Sequence, residues 1–310
     1  MSTIIQLLVT GIAMGFIYCM VATEYTLVYN TTGLINFAHE KFITLGAYFF
    51  GGTMYVLFQN HLIIGIIGTL VFMFLYGMAV SGLIFIPLSK MPFRIFAVTG
   101  TLMLSIIMRE AIRIIWGPAP FTVPNFLVGT FNIHGIVIAR VNVYIIILST
   151  VLLIVQRLFF TKTKTGKALT CVSQDKEVAL LMGIDVRTNI AISVGISSML
   201  CGVIGMMVIP LFSINGSMAG SIALKGFSAG VVGGFGTYGG AIVGGLFIGI
   251  IENLYLLVGP STSKDVVAFV LRILFLIVNP GGIMGMLRKK KRPSVAKRVK
   301  QELFGRKEQP

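Results

Sequence analysis

The sequence predicts an all-α, polytopic membrane protein of about eight or nine transmembrane helices, some of them short or broken. Of the 310 residues, 56% are hydrophobic and only 11% are charged, whereas soluble domains carry about 25% charged residues. The apolar residues cluster in runs of the length, about 20 residues, that crosses a hydrocarbon core of about 30 Å. Most basic residues lie in short gaps between these runs or in the C-terminal tail. Lipid is therefore the expected solvent for much of the chain.

Two of the candidate spans are weak. The segment 33–57 contains His39 beside two charged residues, and 219–235 contains Lys225 among many Gly, Ala and Ser residues. Small residues let helices approach closely in lipid, and a short Gly-rich span is typical of a packed or interrupted helix that lines a cavity. The candidate spans are 3–29, 33–57, 62–88, 95–116, 142–160, 189–213, 219–235, 238–258 and 266–286.

The distribution of charge predicts the orientation. The net charge is +15, and the tail beyond Met286 holds ten Lys or Arg against two Glu. Basic loops stay on the cytoplasmic side, so we expect the tail and the basic loop at about 160–188 to be cytoplasmic and the N-terminus to be outside. An N-terminus outside and a C-terminus inside need an odd number of spans, so the segment 219–235 is expected to cross the membrane. The predicted organisation is one transmembrane domain, 1–287, and a basic cytoplasmic tail, 288–310, which leaves no reason to expect nucleic-acid binding.

The long loop on the predicted outer side contains alternating apolar residues near Ile133 to Ile138. Alternation is typical of a strand. We expect a short hairpin or an interfacial helix in this region.

Two polar residues lie in the second candidate span. Asn36 and His39 are three residues apart, which places them on one face if this segment is helical. Polar groups in lipid cost several kcal/mol unless they have partners or water. Two interpretations stay open: a discontinuous helix that lines a path through the membrane, or a hydrogen bond between helices that fixes their packing.

The sequence lacks the common motifs of catalytic, metal-binding and phosphate-binding sites. The sequence has no Gly-x-Ser-x-Gly elbow and no His-Glu-x-x-His, and its three histidines lie in separate regions. Thr165–Ala168 lacks the upstream Gly and the Ser/Thr after Lys that a phosphate-binding loop needs. We therefore expect no catalytic residue, no metal site and no cofactor in this chain.

Three stretches resemble one family. Gly33–His39 reads Gly-Leu-Ile-Asn-Phe-Ala-His, 174–184 has acidic residues before Ala and Gly-Ile, and 226–245 is Gly-rich. In order and spacing they resemble the permeases of branched-chain amino acid ABC importers, a family that also includes urea and short-amide permeases. The resemblance spans roughly residues 5–285.

The resemblance implies a permease subunit in a bacterial inner membrane that imports branched-chain or related amino acids. It implies a second homologous permease, two ATPase subunits that supply ATP and Mg, and an extracytoplasmic substrate-binding protein. A urea or short-amide permease is the alternative, and a passive channel or an ion-coupled carrier is a further one. The expected path residues are Asn36, His39, Gly233, Gly234, Gly236, Gly244, Gly245, Glu252 and Glu24.

The resemblance also implies that the loop at 160–188 docks on an ATPase. Val178, Leu181 and Met182 form an apolar patch suited to a helix in a groove, and Ser173 precedes this helix as an N-cap candidate. A solvated connecting helix is the alternative. The expected docking residues are Asp175, Glu177, Val178, Ala179, Leu181, Met182 and Gly183.

Four residues depart from the family pattern. Glu24 and Asn30 stand where glycine is usual, and Glu40-Lys41 replaces the usual Gly-Glu pair. An intramembrane carboxylate is costly and often functional. Glu24 is expected to contact the ammonium of an amino acid, to pair with Lys41, or to lie near the cytoplasmic rim. For Glu252, both a cavity and a subunit contact stay open.

Overall fold

The computed structural model describes residues 2–58, 61–89, 91, 93–123, 127, 129–133, 136–278 and 281–285. The predicted tail, 288–310, lies outside the described residues. The helices are α1 (Ser2–Thr32), α2 (His39–Phe49), α3 (Leu62–Val80), α4 (Arg94–Trp116), α5 (Arg140–Lys162), α6 (Lys164–Gln174), α7 (Lys176–Leu181), α8 (Val186–Val208), α9 (Gly220–Gly233), α10 (Tyr238–Leu254) and α11 (Lys264–Val278).

Shorter helical segments extend or connect some of these helices. A π-helical turn, Phe50–Met54, continues α2 to Tyr55–Leu57, and a second, Ser81–Phe85, continues α3 to Ile86–Leu88. Two 3₁₀ turns, Tyr255–Leu257 and Ser261–Ser263, connect α10 to α11.

Six helices in the described part of the chain are long and apolar enough to cross a membrane. They are Thr3–Thr32, Leu62–Leu88, Ile95–Trp116, Arg140–Lys162, Val186–Val208 and Tyr238–Leu257. This confirms the prediction of an all-α polytopic membrane protein. Helix α9 has 14 residues and is about 21 Å long at 1.5 Å per residue, which is shorter than the hydrocarbon core. The expectation of a short helix at 219–235 is therefore confirmed, whereas the number of crossings stays a prediction.

The chain is broken between α1 and α2. Gly33 has a φ of +79°, a conformation that suits glycine and ends a helix. The Asn36 Oδ1 atom then accepts a hydrogen bond from the Ala38 amide over 2.9 Å, and this local turn competes with helix formation. The second helix consequently begins at His39 instead of residue 33. The expectation that Asn36 and His39 share a helical face was wrong, because Asn36 lies in the break.

A two-stranded antiparallel hairpin lies before α5. Strand β1 (Thr130–Ile133) pairs with β2 (Ile136–Ala139), with Phe131 opposite Ile138. Of the two structures expected near residues 133–138, the hairpin is the one observed.

Helix α1 lies at the centre of the molecule, in contact with α5, α8, α9 and α10, and α2 packs against α8. Glycines permit the close approach. A Cβ atom at Gly46 would lie 2.5 Å from the Gly202 Cα atom on α8, and one at Gly245 would lie 2.5 Å from the Cys19 amide nitrogen on α1. Backbone contact of this kind is how helices associate in lipid, where burial of apolar surface between them gains little.

Candidate translocation path and coupling surface

Helix α2 begins inside the thickness of the helix bundle. The His39 ring stacks on the Tyr25 ring of α1 with centroids 4.1 Å apart, and its Nε2 atom lies 3.6 Å from the Cys201 sulfur of α8. Tyr25 and Cys201 each lie seven residues from the nearer end of their helix. At 1.5 Å per residue this is about 10 Å, so α2 begins well within the depth of two long apolar helices.

The two polar residues of this segment have different surroundings. Asn36 and His39 are both almost completely buried. Asn36 caps the break through its own neighbouring backbone, whereas His39 packs between α1 and α8. The geometry of Asn36 fits the discontinuous-helix interpretation, while the Cys201 contact of His39 fits packing between helices.

A small cavity lies between the break and the start of α9. Its volume is about 120 Å³. The ion pair between Lys41 Nζ and Glu40 Oε1, 2.7 Å long, lies at the start of α2, and Lys41 also donates to the Gly216 carbonyl over 2.9 Å. The residues that line the cavity are Tyr25, Phe37, Glu40, Gly220, Ala223, Leu224 and Phe227.

Glu24 is fully buried in α1, and its Oε1 atom accepts a hydrogen bond from Gln156 Nε2 of α5 over 2.8 Å. Its Oε2 atom has no hydrogen-bond partner among the described residues. The expected pairing with Lys41 was wrong, since Lys41 is paired with Glu40. Gln156 follows the apolar run of α5 and directly precedes Arg157, and it was not predicted as a partner of Glu24.

Glu252 lies at the centre of a buried group of charges that joins four helices. Lys225 Nζ of α9 is 2.6 Å from Glu252 Oε1 and 2.6 Å from Asp265 Oδ1 of α11. The Tyr18 hydroxyl of α1 donates to Glu252 Oε2 over 3.1 Å. Arg272 of α11 lies 3.9 Å from the same oxygen. Lys225 thus has two acidic partners, whereas the guanidinium nitrogens of Arg272 form no hydrogen bond within the described part of the chain. Neither residue had a role assigned from the sequence.

The predicted path glycines lie in the hairpin of α9 and α10. Cβ atoms at Gly233, Gly244 and Gly245 would collide with neighbouring backbone, so these residues set the spacing of the helices. Gly234 and Gly236 have φ values of +115° and +84° and form the turn. Gly236 also lines a cavity of about 160 Å³ at the end of α1. A role for the five glycines in a path stays a prediction.

The predicted docking segment forms helix α7. Its N-cap is Asp175, whose Oδ1 atom accepts hydrogen bonds from the Glu177 and Val178 amides. The expectation that Ser173 is the cap was wrong, because α6 continues past it to Gln174. At the other end, Gly183 has a φ of +77°, and the Ile184 amide donates to the Ala179 carbonyl, the arrangement that closes many helices.

Helix α7 presents its apolar residues to the outside. Leu181 is 87% exposed and Met182 is 73% exposed. Val178 and Leu180 are also exposed, and Ala179 is completely buried. We call the exposed residues Val178, Leu180, Leu181 and Met182 the α7 patch. Such a patch outside the spans is typical of an interaction surface.

Lys176 connects α7 to the end of α1. Its Nζ atom donates to the Thr32 carbonyl over 2.9 Å, and Thr32 is the last residue before the break. Burial lowers the pKa of Lys176. On the next connection, a hydrogen bond from the Thr188 hydroxyl lowers the pKa of Asp185, which caps α8.

The family described as "Branched-chain amino acid transport system / permease component" matches residues 7–278 of the chain. The chain is 28% identical over 310 residues to the high-affinity branched-chain amino acid transport system permease protein LivH of Salmonella typhimurium, covering 94% of this chain and 97% of the relative. It is 28% identical to BraD of Pseudomonas aeruginosa with the same coverage. A probable branched-chain amino acid transport permease protein LivH of Methanocaldococcus jannaschii is 29% identical, covering 87% of this chain and 89% of the relative. No solved structure matches significantly.

These matches define the class of the chain as a multi-pass membrane transport permease. The chain belongs to the family of branched-chain amino acid transport system permease components.

Proposed function

We propose that this chain is the permease subunit of an ABC importer for branched-chain or related amino acids. The observation that carries the proposal is the link from the α7 patch to the broken helix. An exposed apolar helix outside the spans is joined by Lys176 to the last residue of α1. The break that follows leads to α2, whose first residue, His39, packs between α1 and α8. A push on α7 therefore has a short route to the segment that would open or close a path.

The energy comes from two separate ATPase subunits, which supply ATP and Mg. The α7 patch is the surface on which one of them docks, as an apolar helix in a groove. Each permease of a pair carries one such patch, which accounts for two ATPases per transporter. This chain itself acts as a transport subunit and catalyses no reaction.

The path lies between this chain and a second homologous permease. Glu40 lies at the level of the break and keeps 28% of its side chain exposed. An exposed carboxylate at that depth is costly against lipid and is normally found against water or protein. The face that carries Glu40 is thus the one that meets the partner permease and the solute.

The chain works in a bacterial plasma membrane with its N-terminus outside and its C-terminus in the cytoplasm. The basic residues of α6 and of the preceding end of α5 lie on the same side of the bundle as α7, and basic loops remain cytoplasmic. This orientation gives the ATPases access to the α7 patch. An extracytoplasmic binding protein then delivers the amino acid from the opposite side.

Uptake by the complete transporter tests this function and separates it from urea or short-amide import. The complex of both permeases, both ATPases and the binding protein would be reconstituted in liposomes. ATP would be supplied on the side of the membrane that carries the ATPases. We expect ATP-dependent uptake of radiolabelled leucine, and little uptake of urea or acetamide. Uptake of urea without uptake of leucine would assign the chain to the amide branch instead.

A further inference from the structure

The cavity beside the break has an apolar wall and one carboxylate. Tyr25 and Phe227 meet edge to face with centroids 5.4 Å apart, and Phe37 and Leu224 are exposed at the same place. Glu40 is the one carboxylate among the lining residues. A wall of this kind suits the aliphatic side chain of a small solute, with the carboxylate to fix its orientation.

The carboxylate belongs to a pair of opposite charges on adjacent residues. Lys41 Nζ lies 2.7 Å from Glu40 Oε1. The second carboxylate oxygen, Oε2, lies 3.0 Å from the position that a Cβ atom would take at Gly220. Glycine at this position therefore leaves the Oε2 atom room on the cavity side of α9.

We infer that Glu40 and Lys41 recognise the two charges of a free amino acid during its passage. The Glu40 carboxylate receives the substrate ammonium group, and the aromatic wall of Phe37 and Phe227 receives the aliphatic side chain. Lys41 is almost completely buried and does not line the cavity itself, so it receives the substrate carboxylate once its pair with Glu40 opens. This assignment rests on the proposed function, which it deepens by naming the recognition site within the permease.

Without a substrate, neither charge of the site is unpaired, because Glu40 and Lys41 are each other's counter-ions. When an amino acid enters, one ion pair is exchanged for two, so neither protein charge is left bare inside the membrane, where an unpaired charge is very costly. An uncharged urea or amide cannot replace either partner of the pair. A solute with only one charge would leave Glu40 or Lys41 unpaired.

Protection of a cysteine in the cavity measures this recognition without the binding protein's own selectivity. The complex of both permeases and both ATPases, without the binding protein, would carry Leu224→Cys in a Cys171→Ser background, since Cys19 and Cys201 are buried. Labelling by a membrane-permeant maleimide would be followed with leucine, with 4-methylpentanoate, which lacks the ammonium group, and with isoamylamine, which lacks the carboxylate. We expect leucine to protect at concentrations roughly 10- to 100-fold lower than either analogue, the factor expected for a charged hydrogen bond. Equal protection by the three compounds would overturn the inference.

Two substitutions then separate recognition from a purely structural role of the pair. In Glu40→Gln, leucine should protect no better than 4-methylpentanoate, because the ammonium group has lost its partner. In Lys41→Met, leucine should protect no better than isoamylamine. A structural defect would weaken protection by all three compounds together and leave their ranking unchanged, which would count against the inference. Glu110→Gln, in an exposed ion pair with Arg113 on α4, is the matched control and should keep the ranking.

Uptake of leucine by the same liposomes, measured after the binding protein is added, tests the recognition site and the proposed function separately. Normal ATP-driven uptake without any protection of Leu224→Cys would refute the recognition site and leave the proposed function intact. Absence of uptake by the unsubstituted complex would refute the proposed function itself, and the recognition site with it.

Discussion

The ammonium group of Lys176 donates a hydrogen bond to the carbonyl oxygen of Thr32 over 2.9 Å. This bond joins the first residue of α7 to the last residue of α1. The carbonyl of a helix end lacks an intrahelical partner, so the lysine also completes the C-terminus of α1. The α7 patch and the break at residues 33–38 are thereby connected through one side chain.

Loss of this bond should reduce the coupling of ATP hydrolysis to transport. In Lys176→Met, we expect the reconstituted complex to hydrolyse ATP at close to the normal rate while leucine uptake falls several-fold, because α7 still docks but no longer holds the end of α1. The measurement is the number of ATP molecules hydrolysed per leucine imported. Lys167→Met removes an exposed lysine of α6 and should leave that ratio unchanged. An unchanged ratio in Lys176→Met as well would show that the contact transmits nothing.

The α7 patch should be required for assembly with the ATPases. Leu181→Asp and Met182→Asp each place a charge in the centre of an apolar contact, and a charge buried without a partner is strongly unfavourable. We expect the ATPases to be lost on copurification of the complex. Gln174→Asp adds the same charge at an exposed position at the end of α6 and should copurify normally. Full retention of the ATPases by both patch variants would mean that they dock elsewhere.

The contact between α2 and α8 should not tolerate a side chain at Gly46. A Cβ atom there would lie 2.5 Å from Gly202 Cα, whereas one at Gly82 would meet nothing within 4 Å. Gly46→Val should therefore lower the stability of the purified chain by about 1–3 kcal/mol, the usual cost of overpacking, and Gly82→Val should change it little. Thermal unfolding in detergent, followed by loss of the monodisperse species, compares the two. Similar midpoints for both variants would contradict the observed packing of α2 on α8.

The buried charges around Glu252 should be needed as a group. Lys225→Met removes the closest counter-ion of Glu252 and leaves Lys264 at 3.3 Å and Arg272 at 3.9 Å. The cost should therefore be at or below the roughly 3–5 kcal/mol of breaking a buried ion pair. Arg113→Met removes one partner of an exposed pair with Glu110, for which the expected cost is about 0–1 kcal/mol. The same thermal assay measures both. If the two substitutions cost the same, the network around Glu252 contributes little to holding α1, α9, α10 and α11 together.

The long helices could be predicted from the sequence because each is a run of apolar residues that is long enough to span a membrane. The beginning of α2 could not, since Asn36 and His39 have helical spacing and only the local turn at Asn36 reveals the break. The α7 patch was predictable because Val178, Leu181 and Met182 are close together in a polar loop. Its cap was mispredicted, as α6 extends over Ser173 and leaves Asp175 to begin the next helix.

The partners of the buried charged residues could not be predicted from the sequence. Glu24 lies opposite Gln156, and Glu252 opposite Lys225, through contacts that join residues 132 and 27 positions apart. Such pairings depend on how the helices are arranged, and hydropathy gives no information about that arrangement. The same holds for Lys41, which pairs with the adjacent Glu40, whereas the sequence offered Glu24 as its partner.

The most direct test of the proposed function is leucine uptake by liposomes that contain this chain and its partner permease, supplied with the binding protein, with and without the ATPase subunits. The account predicts that leucine accumulates only when both ATPases are present and ATP is available to them, and that a catalytically inactive ATPase abolishes uptake although the complex still assembles. Equal leucine uptake by the permeases alone would contradict it and would indicate a channel or an ion-coupled carrier.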